Sequence, residues 1–169
     1  PATQAWFEAA FAAPTPAQSL AWEAIGAGCD TLVVAPTGSG KTLAAFLSAI
    51  DDLVRDPVAR DVATGPRVLY VSPLKALAVD IERNLRAPLA GIQRESQRLG
   101  LPVPDIRVGV RTGDTPADER RRMTTSPPDI LITTPESLFM QLTSQAPSIL
   151  CVVGTLINYE VHAHARSKR

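Results

Sequence analysis

The residues best able to do chemistry lie together in Ala35-Pro-Thr-Gly-Ser-Gly-Lys41-Thr42. Gly38 and Gly40 carry no Cβ, so the backbone there can turn tightly and aim N–H groups at an anion. Thr37 and Ser39 belong to the same cradle. The Lys41 ammonium can reach the outer phosphates of a nucleoside triphosphate, and the Thr42 hydroxyl can ligate Mg²⁺. The general pattern opens on glycine; this chain has Ala35. The plain alternative is a glycine-rich turn with a surface lysine. The flanks argue against it. An apolar run, Thr31-Leu-Val-Val, precedes the loop, and an amphipathic run from Leu43 to Val54 follows it. Strand, loop and helix in that order place the phosphates at a helix N-terminus, where partial positive charge favours them.

A second group lies upstream in Phe11-Ala-Ala-Pro-Thr15-Pro-Ala-Gln18. A glutamine side chain offers donors and an acceptor together, which suits the edge of adenine. Phe11 can pack beside the base and Thr15 can steady the turn. The competing reading is a Pro-Thr turn that caps a helix running through Leu20, Trp22 and Ile25. Its position shortly before the phosphate loop favours the nucleotide reading, and hence ATP.

These groups need a frame. Strand candidates recur at Thr31–Ala35, Arg67–Ser72, Ile106–Arg111, Asp129–Thr133 and Val152–Asn158. Most are nearly continuous apolar runs, as in a parallel sheet covered on both faces. Helix candidates alternate with them. Leu43, Phe46, Leu47, Ile50 and Val54 form one stripe. Leu77, Ile81 and Leu85 form another, which is expected to break near Pro88. Pro135 suits the first turn of a third. Loops are expected over 56–66 and 100–105, with shorter breaks at Pro14–Pro16 and Ser126–Pro128. The βαβα alternation predicts an α/β fold with a mainly parallel sheet and right-handed crossovers.

Composition sets the limits. The chain has 169 residues, 45% apolar, with 17 basic and 17 acidic side chains. That length suits one domain with a full core. Balanced charge means that any nucleic-acid surface is local. No apolar run approaches the ~20 residues of a membrane span, and no secretory signal opens the chain. Pro1 in place of methionine implies processing or trimming. Cys29 and Cys151 adjoin apolar strand candidates and are expected to be buried thiols in a cytoplasmic protein. His162 and His164 lack the companions of a zinc site.

Further blocks follow in order: Tyr70-Val-Ser72-Pro73-Leu-Lys75-Ala-Leu-Ala78, Val110-Arg111-Thr112-Gly113-Asp114-Thr115 and Thr133-Thr134-Pro135-Glu136-Ser-Leu138. With the Phe11–Gln18 stretch and the phosphate loop, they resemble the ordered motifs of superfamily 2 helicases of the DEAD/DEAH type. Their wording is similar to the large helicase-related (Lhr) group, from about Phe11 to the C-terminus. The resemblance implies a first RecA-like domain with helices on both faces of its sheet. ATP would lie at one edge and single-stranded DNA, or an RNA–DNA hybrid, across the top. Ser72, Pro73, Lys75, Arg111, Thr112, Gly113, Thr134, Pro135 and Glu136 are then the candidates for the strand backbone. They follow the C-terminal ends of strand candidates, where ligands of open α/β sheets sit. Arg120-Arg-Arg122 adjoins Asp118 and Glu119 and reads as a solvated helical face.

The family carries Asp-Glu-x-His after its last strand of this set. Here the stretch is Asn158-Tyr159-Glu160-Val-His162, so Tyr159 stands where a metal-holding aspartate belongs. Glu160 can still orient the attacking water, and His162 would link the nucleotide to the nucleic-acid face, as the resemblance implies. Thr42 alone is a poor anchor for Mg²⁺, which prefers carboxylates as well as phosphate oxygens. A helicase also closes its ATP site with a second RecA-like domain, which these residues do not supply. The expected behaviour is nucleotide binding with slow or absent hydrolysis and no unwinding by this chain alone. The rivals are another phosphate-loop enzyme, whose acceptor-site or signature sequences are lacking, and a binding domain that has lost catalysis.

Overall fold

The fold begins from the apolar periodicity of its longest runs. The computed structural model describes residues 1–36, 38–56, 65–143 and 152–159. The chain divides into two compact units, Pro1–Pro57 with Pro88–Asp105, and Val58–Ala87 with Ile106–Arg169.

In the described part of the first unit every regular element is helical: α1 (Ala2–Ala10), α2 (Pro16–Gly26), α3 (Lys41–Arg55) and the second half of α4 (Lys75–Arg98). The α3 stripe buries Ala44, Phe46, Leu47, Ala49, Ile50 and Leu53, at the spacing expected of an amphipathic helix. Helix α1 was not foreseen. It buries Phe7, whose ring stacks on Phe11 with centroids 4.9 Å apart and meets Trp22 edge-on at 5.2 Å. Gly91 serves a neighbour: a Cβ there would strike the Trp6 ring. Helix α2 ends in a left-handed Gly28 at φ 77°, with Gly28 N–H donating to Ile25 O and Cys29 N–H to Ala24 O. That is a Schellman closure, which satisfies the last carbonyls of the helix.

Three expectations are corrected here. Thr31–Ala35 is not a strand; it is irregular, with Leu32 68% and Val34 74% exposed. A strand forms only where a neighbour supplies ladder partners, and the described elements of this unit are all helices. Cys29 is an exposed free thiol rather than a buried one, because it follows the helix-ending turn; Cys151 lies outside the described residues. Helix α4 does not break near Pro88 but runs on to Arg98. Ile81, Leu85 and Ile92, on both sides of the proline, are buried, and that packing outweighs the hydrogen bond the proline forgoes.

The second unit carries the sheet: β1 (Val68–Val71), β2 (Val108–Arg111), β3 (Ile130–Thr133) and β4 (Thr155–Asn158), in the order β2-β3-β1-β4, with each pairing parallel. The central strands β1 and β3 are buried throughout, as their unbroken apolar runs require. On β4, partly buried and exposed residues alternate instead, and Leu156 is exposed. Leu69, Val71 and Leu131 form a cluster with Met123 of α5 (Ala117–Thr125), Leu138 of α6 (Pro135–Thr143) and Val153. Register aligns Arg111, Thr133, Val71 and Asn158 on one rung. The loops after these residues therefore leave the sheet at the same end. No described helix is long and apolar enough to cross a membrane.

Candidate nucleotide and nucleic-acid sites

The phosphate loop is assembled from two directions. Helix α2 begins with a reciprocal cap: Thr15 Oγ1 accepts from Gln18 N–H at 3.3 Å, and Gln18 Oε1 accepts from Thr15 N–H at 2.9 Å. The same two side chains also hold the loop. Thr15 Oγ1 donates to Ser39 O at 2.9 Å, and Gln18 Nε2 donates to Gly40 O at 3.3 Å. The structure thus contains the helix cap, and the capping side chains also touch the glycine loop. Gln18 is 4% exposed. Its oxygen and its nitrogen each keep one bonding position beyond these contacts.

The loop itself is shaped to receive an anion. Gly38 and Gly40 adopt φ of 84° and 79°, which favour glycine, and a Cβ on Gly40 would collide with the Gln18 amide. Ser39 Oγ is buried and without a hydrogen-bond partner. Gly40 precedes the first turn of α3, whose N-terminus begins at Lys41. The Lys41 ammonium folds back onto the loop and donates to the carbonyls of Ala35 and Pro36. These features fit a polyphosphate: a Cβ-free cradle, a buried hydroxyl lacking a partner, a helix N-terminus and a cation already at the turn. Phe11 is 43% exposed and keeps its ring against Phe7 and Trp6. Trp22 Nε1 donates to Ala44 O at 2.9 Å, tying α2 to α3. Thr37, Glu160 and His162 lie outside the described residues. Thr42 lies in the first turn of α3. No group of three or more His, Cys, Asp or Glu side chains able to hold a metal occurs among the described residues.

At the C-terminal end of the sheet, the structure separates inward from outward residues. Ser72 is fully buried; its hydroxyl donates to Leu74 O at 2.9 Å and its N–H to Thr133 O at 2.8 Å. Thr112 and Thr134 are buried as well. Thr134 Oγ1 accepts from Ser137 N–H at 3.4 Å, at the start of α6, where Pro135 opens the helix and Glu136 is exposed. As placed, these hydroxyls shape turns. Lys75 at the start of α4, Gly113, Asp114 and Glu136 are exposed, and Pro73 is partly buried.

The loop after β2 is braced from within. Thr115 Oγ1 accepts from Thr112 N–H at 2.9 Å and donates to Val110 O at 3.3 Å. Arg120 donates through Nε to Thr115 O at 2.7 Å and through Nη2 to Gly113 O at 2.9 Å. Arg120 is therefore a loop clamp and not a purely solvated charge, which corrects the sequence expectation. The bracing of this loop by Thr115 and Arg120 is not among the sequence expectations. The only sequence signal was the Thr112–Thr115 spacing, which allows a side chain to close a turn. Arg111 ends β2 partly buried. Burial, and then the neighbouring Arg120 charge, hold its guanidinium below the ordinary arginine value. Tyr159 continues β4 by donating its N–H to Val71 O at 3.2 Å.

Comparison with known proteins bears on the family and the fold. A family model described as DEAD/DEAH box helicase matches residues 15–169. The Lhr helicase/probable uracil glycosylase of Mycolicibacterium smegmatis is 65% identical over 99% of this chain, which spans 11% of that protein. The ATP-dependent helicase Lhr-Core of Methanocaldococcus jannaschii is 43% identical over 94% of the chain and 19% of its own length. Among solved structures, Mycobacterium smegmatis helicase Lhr bound to ssDNA and AMP-PNP superposes with a TM-score of 0.89 at 64% identity, over 96% of this chain and 20% of that one. The chain thus spans about a tenth to a fifth of the length of these relatives.

Proposed function

The chain belongs to the DEAD/DEAH box helicase family, and from that premise we propose that it is the RecA-like ATP-binding domain of an Lhr-like superfamily 2 helicase that moves along single-stranded DNA. The observation that carries this reading is the phosphate loop: left-handed Gly38 and Gly40, with Lys41 at the start of α3 and Gln18 and Thr15 bracing the turn. Lys41 exchanges the Ala35 and Pro36 carbonyls for β- and γ-phosphate oxygens. Gln18 uses its remaining donor and acceptor on adenine, with Phe11 beside the base. Thr42 supplies the hydroxyl ligand to Mg²⁺, Glu160 orients water and His162 connects that site to the nucleic-acid face. ATP brings the phosphoanhydride bond whose hydrolysis drives the family's work.

In this reading Lys75, Arg111 and the backbone around Gly113 meet the phosphates of a DNA strand or an RNA–DNA hybrid, while Ser72, Thr112 and Thr134 hold the turns that present them. Such contacts position a strand without reading its bases. Hydrolysis by this chain alone is slow. Tyr159 brings no carboxylate to the metal, and the arginine finger, worth 10³–10⁵ in rate in related enzymes, belongs to a second RecA-like domain of the parent protein. A second reading, a nucleotide-binding domain without catalysis, is favoured by Tyr159 alone.

Calorimetric titration of ATP into the chain and into Lys41→Ala tests the site. Affinity should fall at least about tenfold, the 1.4 kcal/mol scale of one charge-assisted contact; unchanged heats would overturn the assignment. Repeating the titration with and without Mg²⁺, then with Tyr159→Asp, separates the two readings. A gain in Mg²⁺-dependent affinity on Tyr159→Asp supports the weakened-enzyme reading, and a metal-indifferent site in both favours the catalytically inert domain. Strong DNA-stimulated turnover by the unaltered chain would refute both accounts of Tyr159.

A further inference from the structure

The outward face at the end of the sheet carries its own anion. Lys75 Nζ donates to Asp114 Oδ1 at 2.7 Å, across 39 residues of sequence. Both side chains are exposed, by 53% and 75%. An exposed pair of this kind contributes little to stability, so its interest lies in where it sits. Lys75 is the first residue of α4, where the helix dipole also favours an anion. The Lys75 ammonium lies 3.7 Å from where a Cβ on Gly113 would stand, so it rests against the apex of the loop. That loop is not a loose tether. Thr115 closes it from inside, and Arg120 takes the carbonyls of Gly113 and Thr115. Asp114 is therefore presented to Lys75 by a fixed turn, as the one carboxylate between Arg111 and Pro116.

We propose that Asp114 is an internal stand-in for a nucleic-acid phosphate, occupying Lys75 until a strand displaces it, and that it thereby sets the affinity of this face for single-stranded DNA. The proposal rests on the reading above that Lys75 meets the strand backbone. A carboxylate and a phosphate oxygen compete for the same ammonium, and they repel each other while both are near. A strand wins because it brings several phosphates at once against Lys75 and Arg111. Asp114 lowers the affinity of each engagement and eases its release.

The test is fluorescence anisotropy of a labelled oligodeoxythymidine with the full chain, for Asp114→Asn, Asp118→Asn, Lys75→Ala and the Lys75→Ala/Asp114→Asn pair. Asp118 is the control. It is equally exposed, pairs with Arg122 at 3.2 Å and loses the same unit of charge on substitution without touching Lys75. Asp114→Asn should bind about two- to fivefold more tightly at low salt, the range of one surface ion pair, and the gain should shrink as salt screens the pair. Asp114→Ser should do the same. Asp118→Asn should change binding by less than half that factor, and the gain should vanish when Lys75 is already alanine. Equal gains from Asp114→Asn and Asp118→Asn would show a general charge effect and overturn the proposal. So would a gain that persists without Lys75, or no gain while Lys75→Ala still weakens binding. If Lys75→Ala leaves binding unchanged, the strand-backbone role of Lys75 fails, and the proposal with it.

Discussion

Gln18 donates its side-chain amide to the carbonyl of Gly40, 22 residues away, while its amide oxygen caps its own helix. One side chain thus joins the start of α2 to the glycine loop before α3. Gln18→Ala removes both bonds, each with a net value of about 1 kcal/mol, so urea unfolding should show a loss of about 1–2 kcal/mol. Gln18→Glu keeps an acceptor for Thr15 but sets oxygen against oxygen at Gly40. It should recover helix stability while ATP affinity, followed by calorimetry, stays reduced.

Gly40 and Gly113 make a contrasting pair. At Gly40, φ is 79° and a Cβ would meet the Gln18 amide; Gly40→Ala should cost about 1–3 kcal/mol. Gly113 lacks a left-handed φ, and the nearest atom a Cβ would meet is the flexible end of Lys75, at 3.7 Å. Gly113→Ala should therefore stay within about 0.5 kcal/mol of the parent in the same unfolding experiment.

Arg120→Ala should expose its function as a clamp. Losing the bonds to Gly113 and Thr115 should cost about 1.5 kcal/mol, at the low end for a charged donor because the site faces water. Arg120→Lys should recover little of it, since an ammonium lacks the fork that reaches two carbonyls together. Hydrogen exchange at the amides of Thr112–Thr115 should speed up in both variants.

Arg111 gives the opposite sign. Its burial, and then Arg120, disfavour its charged form. A base whose folded pKa is lowered carries a stability cost at any pH at which it is protonated, and that cost is lifted only in strong alkali. Arg111→Gln should therefore leave stability near pH 7 unchanged or slightly higher. Binding to oligodeoxythymidine should weaken, and the slope of log affinity against log salt should flatten by about 0.7, the loss of one phosphate contact on a single strand.

Sequence patterns captured the parts of this chain whose partners are local or apolar. The β1 and β3 runs, the Phe46, Leu47 and Ile50 core of the α3 stripe and the Pro-Thr cap of α2 follow from neighbouring residues; Leu43 and Val54, expected in the same stripe, are only partly buried, and the return bond of Gln18 to Thr15 is not read from the sequence. Thr31–Ala35 reads as a strand by composition, but a strand exists through its neighbours, and periodicity says nothing about who those are. Pro88 reads as a stop, yet burial on both sides of it decides otherwise. The Lys75–Asp114 pair and the Arg120 clamp join segments 39 and up to seven residues apart. Such pairings depend on how turns aim side chains, which a one-dimensional pattern does not record. The hydroxyls of Ser72, Thr112 and Thr134 were expected to face a ligand; their residue types suit turn closure equally well.

Helix α1 lies before the region that matches the family model, which begins at residue 15. Even so, Trp6 fills the notch that Gly91 leaves open, and Phe7 bears on both Phe11 and Trp22. A protein trimmed to the homology boundary would keep the phosphate loop and the blocks after it, yet it would lose Phe11 together with α1 and leave Trp22 without its Phe7 partner and the Gly91 notch unfilled. Its shortfall would show as stickiness and early melting, in a molecule whose phosphate loop is unchanged.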